Sequence, residues 1–425
     1  VTPLFSYQEA GATWLASKRF AYLADEMRVG KTPQVVVACD TLRPARTLVV
    51  CPAVARLDWS RKFREFSDLD RVIQIVTNRK DTIGCDSQVV ITSYDLYDAA
   101  RFRGPWDLVV CDEAHYLKSC TAARTKAILG QDGLIHNTKR MWLLSGTPAP
   151  NNYSELWPML HVFGLYKGNY ESFVREYCTG YHSPYGYQIT GSKNPESLKA
   201  IMAPIMLRRK LADVAPDLPP VVFEDYTIDG LVFSDKVVLQ QAEEAIDKLR
   251  AAKTTDQQLA ILDAYIPQLA TLRRFIGIAK VKATVDLIHS ELEDNRDQLV
   301  VFAYHREVVA ELQRQIQVPT VSIVGGTNPA DRDSAIRKFQ NGNARVFIGQ
   351  LQAAGTAIDL SAADQCLFIE SSWTPGDNAQ AVRRLVNVNK KRPVSARFLG
   401  LASSIDGAIQ RAVARKTRDL VALFD

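Results

Sequence analysis

Residues 20 to 32 restrict the fold more than any other stretch, because a short apolar run, Phe20 to Ala24, ends in Asp25-Glu26-Met27-Arg28-Val29-Gly30-Lys31-Thr32. A strand that feeds its chain into Gly-Lys-Thr has the pattern of a phosphate-binding loop opening a helix. Gly30 lets backbone N–H groups close around a β-phosphate, Lys31 sets an ammonium against the β- and γ-phosphates, and the Thr32 hydroxyl ligates Mg²⁺. The first glycine of G-x-x-x-x-G-K-[ST] is replaced here by Asp25. The tail alone therefore does not decide the chemistry.

A second strand end does. Trp106-Asp107-Leu108-Val109-Val110-Cys111 runs into Asp112-Glu113-Ala114-His115. An apolar run too short for a buried helix, ending in two carboxylates, is how a buried parallel strand delivers acids to its C-terminal edge, where open α/β sheets bind ligands. Asp112 is expected to hold Mg²⁺, mostly through water, and Glu113 to polarise the water that attacks a γ-phosphate. Loop and acids together predict hydrolysis of a nucleoside triphosphate.

The rest of the chain accommodates such an engine. Its 425 residues exceed what one hydrophobic core usually supports, so at least two domains are expected. No apolar run approaches the length of a membrane span, and Val1-Thr2-Pro3-Leu4 has neither a basic nor an apolar leader pattern. The cysteines at 39, 51, 85, 111, 120, 178 and 366 include no C-x-x-C pair, which favours a reducing compartment over a disulfide framework or metal site. The expected location is the cytoplasm of a prokaryotic or phage-infected cell, with a nucleus as the lesser alternative. A formal charge of +5 is compatible with a polyanionic partner.

Short β-type runs alternate with helix-length segments at 20–24, 47–51, 88–92, 108–111 and 141–144, the pattern of a doubly wound parallel sheet. Residues 151–210 break it as an aromatic and polar insertion. Proline density around Pro216-Asp217-Leu218-Pro219-Pro220 reads as a stiff hinge, and 235–275 as amphipathic helix. A second alternation follows at 299–302, 320–324, 344–348, 365–369 and 396–399. The expected organisation is a first lobe over 1–215, a linker with helical insertion over 216–280, and a second lobe over 281–425.

Across nearly its whole length the chain resembles the Swi/Snf-related group of superfamily 2 helicase-like ATPases. Leu4-Phe5-Ser6-Tyr7-Gln8 with Gly11 and Trp14-Leu15 is similar to the family's adenine-recognising entry, in which Gln8 would read the base. Asp25 to Thr32 resembles its motif I, which explains the missing glycine. Arg28 stands where the family has glycine, either assisting a phosphate or pointing to solvent. Val50-Cys51-Pro52 through Trp59, and Ile91 to Asp95, resemble the motifs that contact the DNA backbone. Asp112 to His115 is similar to motif II, Ser145-Gly146-Thr147-Pro148 to motif III, and Leu207-Arg208-Arg209-Lys210 to the interlobe signature.

The second half matches less faithfully. Val301 to His305 looks like motif IV of the HepA-related, annealing-helicase branch, and Gly325-Gly326-Thr327 with Arg332 resembles the next segment. Gly355 to Leu360, with Asp359, resembles motif V, although Ala357 replaces a usual glycine. Gln380 to Asn387 resembles motif VI with one serious departure. Arg384 matches the first arginine, but Asn387 stands where the family places the arginine that reaches the γ-phosphate. Arg383 or Arg384 could substitute, Lys390 and Lys391 could approach, or the run from Arg383 to Arg392 is simply a solvated face.

The resemblance implies two RecA-like lobes, ATP and Mg²⁺ in the cleft between them, and tracking along double-stranded or forked DNA, with specificity supplied in some systems by a protein partner. Candidate DNA contacts are Arg56, Lys62, Ser93, Tyr94, Lys118, Ser119 and Arg332. No strand-splitting pin is identifiable in the sequence. A slow ATP-gated clamp, or a motor subunit of a restriction, repair or anti-phage assembly, is the alternative.

Overall fold

The structure, a computed structural model, describes residues 2–102, 104–183, 186–228, 255–293, 298–354, 358–372, 375–401 and 414. It divides into two units, Val1–Pro216 and Asp217–Asp425.

In the first unit the helix Ser6–Ser17 leads into β1 (Phe20–Leu23), followed by β2 (Thr47–Cys51), β3 (Ile73–Ile75), β4 (Val89–Ser93), β5 (Trp106–Asp112) and β6 (Thr138–Leu144). A separate antiparallel hairpin, β7 (Cys178–Ser183) and β8 (Gly186–Ser192), precedes the short β9 (Met206–Leu207). The seven-stranded sheet has the order β3-β4-β2-β5-β6-β1-β9, and every pairing in it is parallel. Parallel strands need crossovers that cover both faces, so their sequences become continuous apolar runs. In β5, Leu108 and Val110 face a cluster with Leu15, Val36, Trp59 and Trp142, while Val109 and Cys111 face one with Leu160, Phe173 and Tyr177.

Register fixes the functional edge. Leu23 lies opposite Leu144 and Leu207, and Asp112 lies opposite Leu144. The chain leaving β1, β5, β6 and β9 thus emerges at one end of the sheet.

The second unit builds a six-stranded sheet from β10 (Val221–Ile228), β11 (Leu299–Ala303), β12 (Thr320–Ile323), β13 (Val346–Gln350), β14 (Gln365–Phe368) and β15 (Val394–Leu401). Its order is β10-β15-β14-β11-β13-β12, again all parallel. The fold is α/β, with two such all-parallel sheets.

Two elements differ from the sequence expectation. Val221–Ile228, inside the expected linker, is an edge strand of the second sheet, paired along its length with Val394–Leu401. Its Glu224-Asp225 pair breaks the apolar pattern because an edge strand has one neighbour and keeps exposed positions. Thr255–Glu293 is one continuous helix of 39 residues, so the expected lobe boundary at 280 falls within a single element. The helix expected over 235–254, and Gly355 to Ala357, lie outside the described residues. Among the described residues no helix is long and apolar enough to cross a membrane.

Candidate nucleotide and nucleic-acid site

The loop between β1 and the helix Lys31–Leu42 turns on left-handed residues. Arg28 has φ 73° and Gly30 φ 83°. A Cβ at Gly30 would meet Gln8 Nε2 at 2.3 Å, so only glycine fits. Gln8 is buried, accepts from the Phe5 backbone N–H at 3.1 Å and donates to the Val29 carbonyl at 3.1 Å. Tyr7 donates to the same carbonyl at 3.0 Å. The expected base reader is thus also a brace of the phosphate loop. Lys31 Nζ donates to the Asp25 and Glu26 carbonyls at 2.8 and 3.2 Å, spanning the loop it belongs to. Thr32 stands in the first turn of the helix, whose N-terminal N–H groups and dipole favour an anion.

Asp112 is braced from three sides. Trp59 Nε1 donates to its Oδ2 at 2.8 Å, the Glu113 backbone N–H to its Oδ1 at 2.9 Å, and the Tyr94 hydroxyl to its backbone carbonyl at 2.8 Å. Burial pushes the Asp112 carboxyl up to about 6 and the Glu113 charge adds to the rise, while Trp59 and Lys31 oppose it. Glu113 itself takes a left-handed conformation, φ 50°. A non-glycine residue held there costs about 1–3 kcal/mol, the kind of strain that persists where the surroundings fix it. His115 Nδ1 lies 3.2 Å from Glu113 Oε2 and 3.1 Å from Ser145 Oγ. Ser145 Oγ in turn accepts from the Thr147 N–H at 3.2 Å. A Cβ at Gly146 would meet the Met27 side chain at 3.1 Å and its backbone nitrogen at 3.2 Å, so the β6 exit lies against the phosphate loop. The acid pair, the Ser-Gly-Thr turn and the loop form one connected edge.

Two adjacent carboxylates, with the proton affinity of Asp112 raised chiefly by burial, beside the phosphate loop fit Mg²⁺ carried in by a triphosphate. Among the described residues there is no cluster of three or more His, Cys, Asp or Glu that could cage an ion alone. Magnesium commonly binds through one or two carboxylates plus phosphates and water, and Asp112 and Thr32 are the residues that would hold it here.

Sequence reasoning missed the hub beneath this loop. Asp25, fully buried, accepts from the Arg209 Nε and backbone N–H at 3.0 Å each, from Arg209 Nη2, and from Gln34 Nε2 at 3.0 Å. Arg209 also donates to Gln34 Oε1 at 2.6 Å and to the Tyr7 carbonyl. The Glu26 carboxylate accepts from the Leu211 N–H at 2.8 Å. An acid in place of the loop's first glycine, with two arginines after β9, was the available signal. Trp59 was a second miss, because nothing in its local sequence points to Asp112.

The remaining candidates separate into two groups. Lys118 pairs with Glu155 at 3.2 Å, Lys62 with Glu65 at 2.8 Å, and Ser119 is exposed beside Thr121. These lie at the surface. Arg56, by contrast, is buried and donates to the Ala53 and Val76 carbonyls, and Arg332 is buried and donates to the Ala353 carbonyl at 2.7 Å. Ser93 and Tyr94 are buried, and Tyr94 stacks on Tyr116. The side chains of Arg56, Arg332 and Tyr94 hold the fold together.

In the second unit the helix Pro375–Val382 stops before the motif VI arginines, and 383–385 form a turn. Arg384 is buried and Arg383 half-buried. Asn387 donates to Ser361 Oγ at 2.6 Å and accepts from the Asn389 N–H at 2.9 Å. Lys390, nearly buried, binds the Asp364 carboxylate at 2.6 Å and the Ser361 and Ala363 carbonyls at 2.7 and 2.6 Å. The expectation that Lys390 approaches a nucleotide is corrected by these contacts, since the helix ends at Val382 and the ammonium is already fully engaged. The run is not a uniform solvated face either. Asp359 caps a turn by accepting from the Ser361 N–H at 3.1 Å.

Two parallel α/β units, the first carrying a phosphate loop and Asp-Glu-Ala-His acids on one sheet edge, define a helicase-like ATPase. The SNF2-related domain matches residues 7–229 and the helicase conserved C-terminal domain residues 279–389. The chain belongs to the SNF2-related family. It is 27% identical over 431 residues to the SWI/SNF-related matrix-associated actin-dependent regulator of chromatin subfamily A-like protein 1 of Xenopus tropicalis, covering 98% of this chain and 44% of that protein. It is 26% identical over 443 residues to the DNA annealing helicase and endonuclease ZRANB3 of Mus musculus, covering 98% of this chain and 40% of that one. The chain therefore spans less than half of either relative. The Sulfolobus solfataricus SWI2/SNF2 ATPase core in complex with dsDNA is similar at 21% identity and TM-score 0.47, with 100% of this chain and 92% of that chain covered.

Proposed function

We propose that the chain is an ATP-dependent translocase or remodeller of double-stranded DNA, its hydrolysis step carried out by the first unit's sheet edge. The observation that carries this reading is the connected edge in which Lys31, Asp112, Glu113, His115 and Ser145 meet. Bound Mg²⁺ supplies charge neutralisation of the phosphates. Lys31 and the loop N–H groups orient the triphosphate, and Glu113 takes a proton from the attacking water. His115, between Glu113 and Ser145, ties the charge state of the acid to the Ser-Gly-Thr turn, a route by which hydrolysis reaches the strand end. The name of one relative, a DNA annealing helicase, supports DNA as the substrate.

Turnover compared across no nucleic acid, duplex DNA, single-stranded DNA, forked DNA and RNA tests this. Duplex or forked DNA should stimulate hydrolysis, and Lys31→Ala should abolish it. Equal rates on all five would overturn the reading.

A slow ATP-gated DNA clamp is the second reading, and a specific contact favours it. Asn387 is engaged with Ser361 and Asn389, and Lys390 with Asp364, so no cation at 387 or 390 is available to a transition state. An arginine finger contributes about 10³–10⁵ in rate.

A further inference from the structure

The hairpin of β7 and β8 takes no part in the site above. Among its described residues Cys178, at the root, is buried, whereas Tyr181 is 60% and Tyr187 39% exposed, and Thr179, His182, Gln188 and Thr190 are exposed as well. A two-stranded hairpin standing out of a core is marginally stable, so large rings displayed on it need a reason.

Pairing sets the display. Tyr181 lies opposite Gln188 and His182 opposite Tyr187, and successive side chains of a strand point to opposite faces. One face therefore carries Tyr181, the other Tyr187 with His182. The second pair is held in place, the rings meeting edge to face at 5.1 Å and 70°. A Cβ at Gly180 would meet the Tyr187 ring at 2.8 Å, so the ring lies directly over a glycine next to a register shift. That packing fixes the ring before any ligand arrives.

Charge indicates the ligand. From Cys178 to Lys193 the chain has no aspartate or glutamate and ends in a lysine. Rings in an acid-free setting match a polyanion that offers π faces, which paired bases hide and unpaired bases present. We propose that Tyr181 and the Tyr187–His182 pair are a base-stacking platform for unpaired nucleotides where duplex DNA opens. The proposal rests on the DNA-motor reading and names the part of the substrate that this hairpin holds.

The test is binding, without ATP, of a single-stranded oligonucleotide carrying 2-aminopurine, of forked DNA and of blunt duplex. The double variant Tyr181→Ala/Tyr187→Ala should lose about tenfold in affinity for single-stranded and forked DNA and lose the 2-aminopurine quenching, because stacking on each ring is removed. Blunt-duplex binding and duplex-stimulated hydrolysis should stay at the parent level, and Tyr181→Phe/Tyr187→Phe should retain single-strand binding. Unchanged single-strand binding in the alanine variant would overturn the platform, as would loss of a protein partner with DNA binding intact. A parent that quenches 2-aminopurine through these tyrosines yet shows no DNA-stimulated hydrolysis would sink the motor and leave the platform standing.

Discussion

At the scale of single residues, the catalytic edge depends on side chains that hold other side chains. Asp112 illustrates this, with its carboxyl raised to about 6 by burial and by Glu113. An acid whose folded pKa lies above its unfolded value gives the native state extra bound protons, so its contribution to stability is full below about 4 and declines as pH rises to about 6. Thermal unfolding of the parent without Mg²⁺ should therefore show a downward slope in Tm across that window which Asp112→Asn flattens. Mg²⁺ with nucleotide should reverse the slope, because a cation favours the ionised form. Trp59→Phe keeps the buried ring and removes one hydrogen bond to a charged acceptor, a loss of about 1.5–3 kcal/mol. Steady-state kinetics should record turnover down at least tenfold with Tm close to the parent's; unaltered turnover would remove Trp59 from the site. Gln8 braces the phosphate loop. Gln8→Ala removes one of the two donors to the Val29 carbonyl and leaves Tyr7 as the other, so KM should rise for both ATP and GTP, with a further loss of ATP preference only if the amide reads adenine. Lys31 and Glu113 stand out in the sequence because contiguous motifs carry them. Trp59 was not, since its partner lies 53 residues away in sequence.

Among the elements, strands buried on both faces were the legible ones, because a parallel sheet forces continuous apolar runs. Thr47–Cys51 coincides with its expected span, and the strands at 20, 89, 106, 138, 299, 320, 346, 365 and 394 lie within two or three residues of theirs. What escaped were elements with weak apolar signal: the three-residue Ile73–Ile75 and two-residue Met206–Leu207 strands, the edge strand Val221–Ile228 with its acids, and the exposed hairpin. Helix packing hid a further constraint. The helix Ser6–Ser17 meets the helix Lys31–Leu42 at Gly11, where a Cβ would stand 1.9 Å from Gln34 Oε1 and 2.7 Å from Arg209 Nη2. Both atoms are tied to Asp25 or to each other, so neither can swing away cheaply. Gly11→Ala should cost about 1–3 kcal/mol by denaturant unfolding. Arg209→Ala should cost more, about 3–5 kcal/mol, because it leaves the fully buried Asp25 carboxylate without its ion partner. The reverse order would show that the carboxylate is not the hub of this packing.

For the whole molecule the open question is whether both units act in one cycle, and it turns on a position the sequence flagged and only the structure explains. Asn387 is not a vacant place waiting for an arginine. Its amide bridges Ser361 and Asn389, and neighbouring Lys390 anchors the same turn to Asp364, Ser361 and Ala363. Installing arginine there removes the contacts to Ser361 and Asn389, so Asn387→Arg should lower the Tm of the isolated chain even if it helps catalysis. Two outcomes for hydrolysis follow from the two functional readings. If Arg384 already supplies transition-state charge, Arg384→Ala should abolish DNA-stimulated turnover with ATP binding nearly intact, Arg383→Ala should cost part of it, and Asn387→Arg should add little. If no arginine does, both alanine variants should hydrolyse at the parent's slow rate and Asn387→Arg should accelerate it by orders of magnitude, up to about the 10³–10⁵ associated with an arginine finger. Duplex-stimulated hydrolysis measured on all three variants against Lys31→Ala separates these cases. Loss of turnover in Arg384→Ala with tight nucleotide binding marks a motor that moved its charge three residues upstream, and acceleration in Asn387→Arg marks a clamp that dispensed with it.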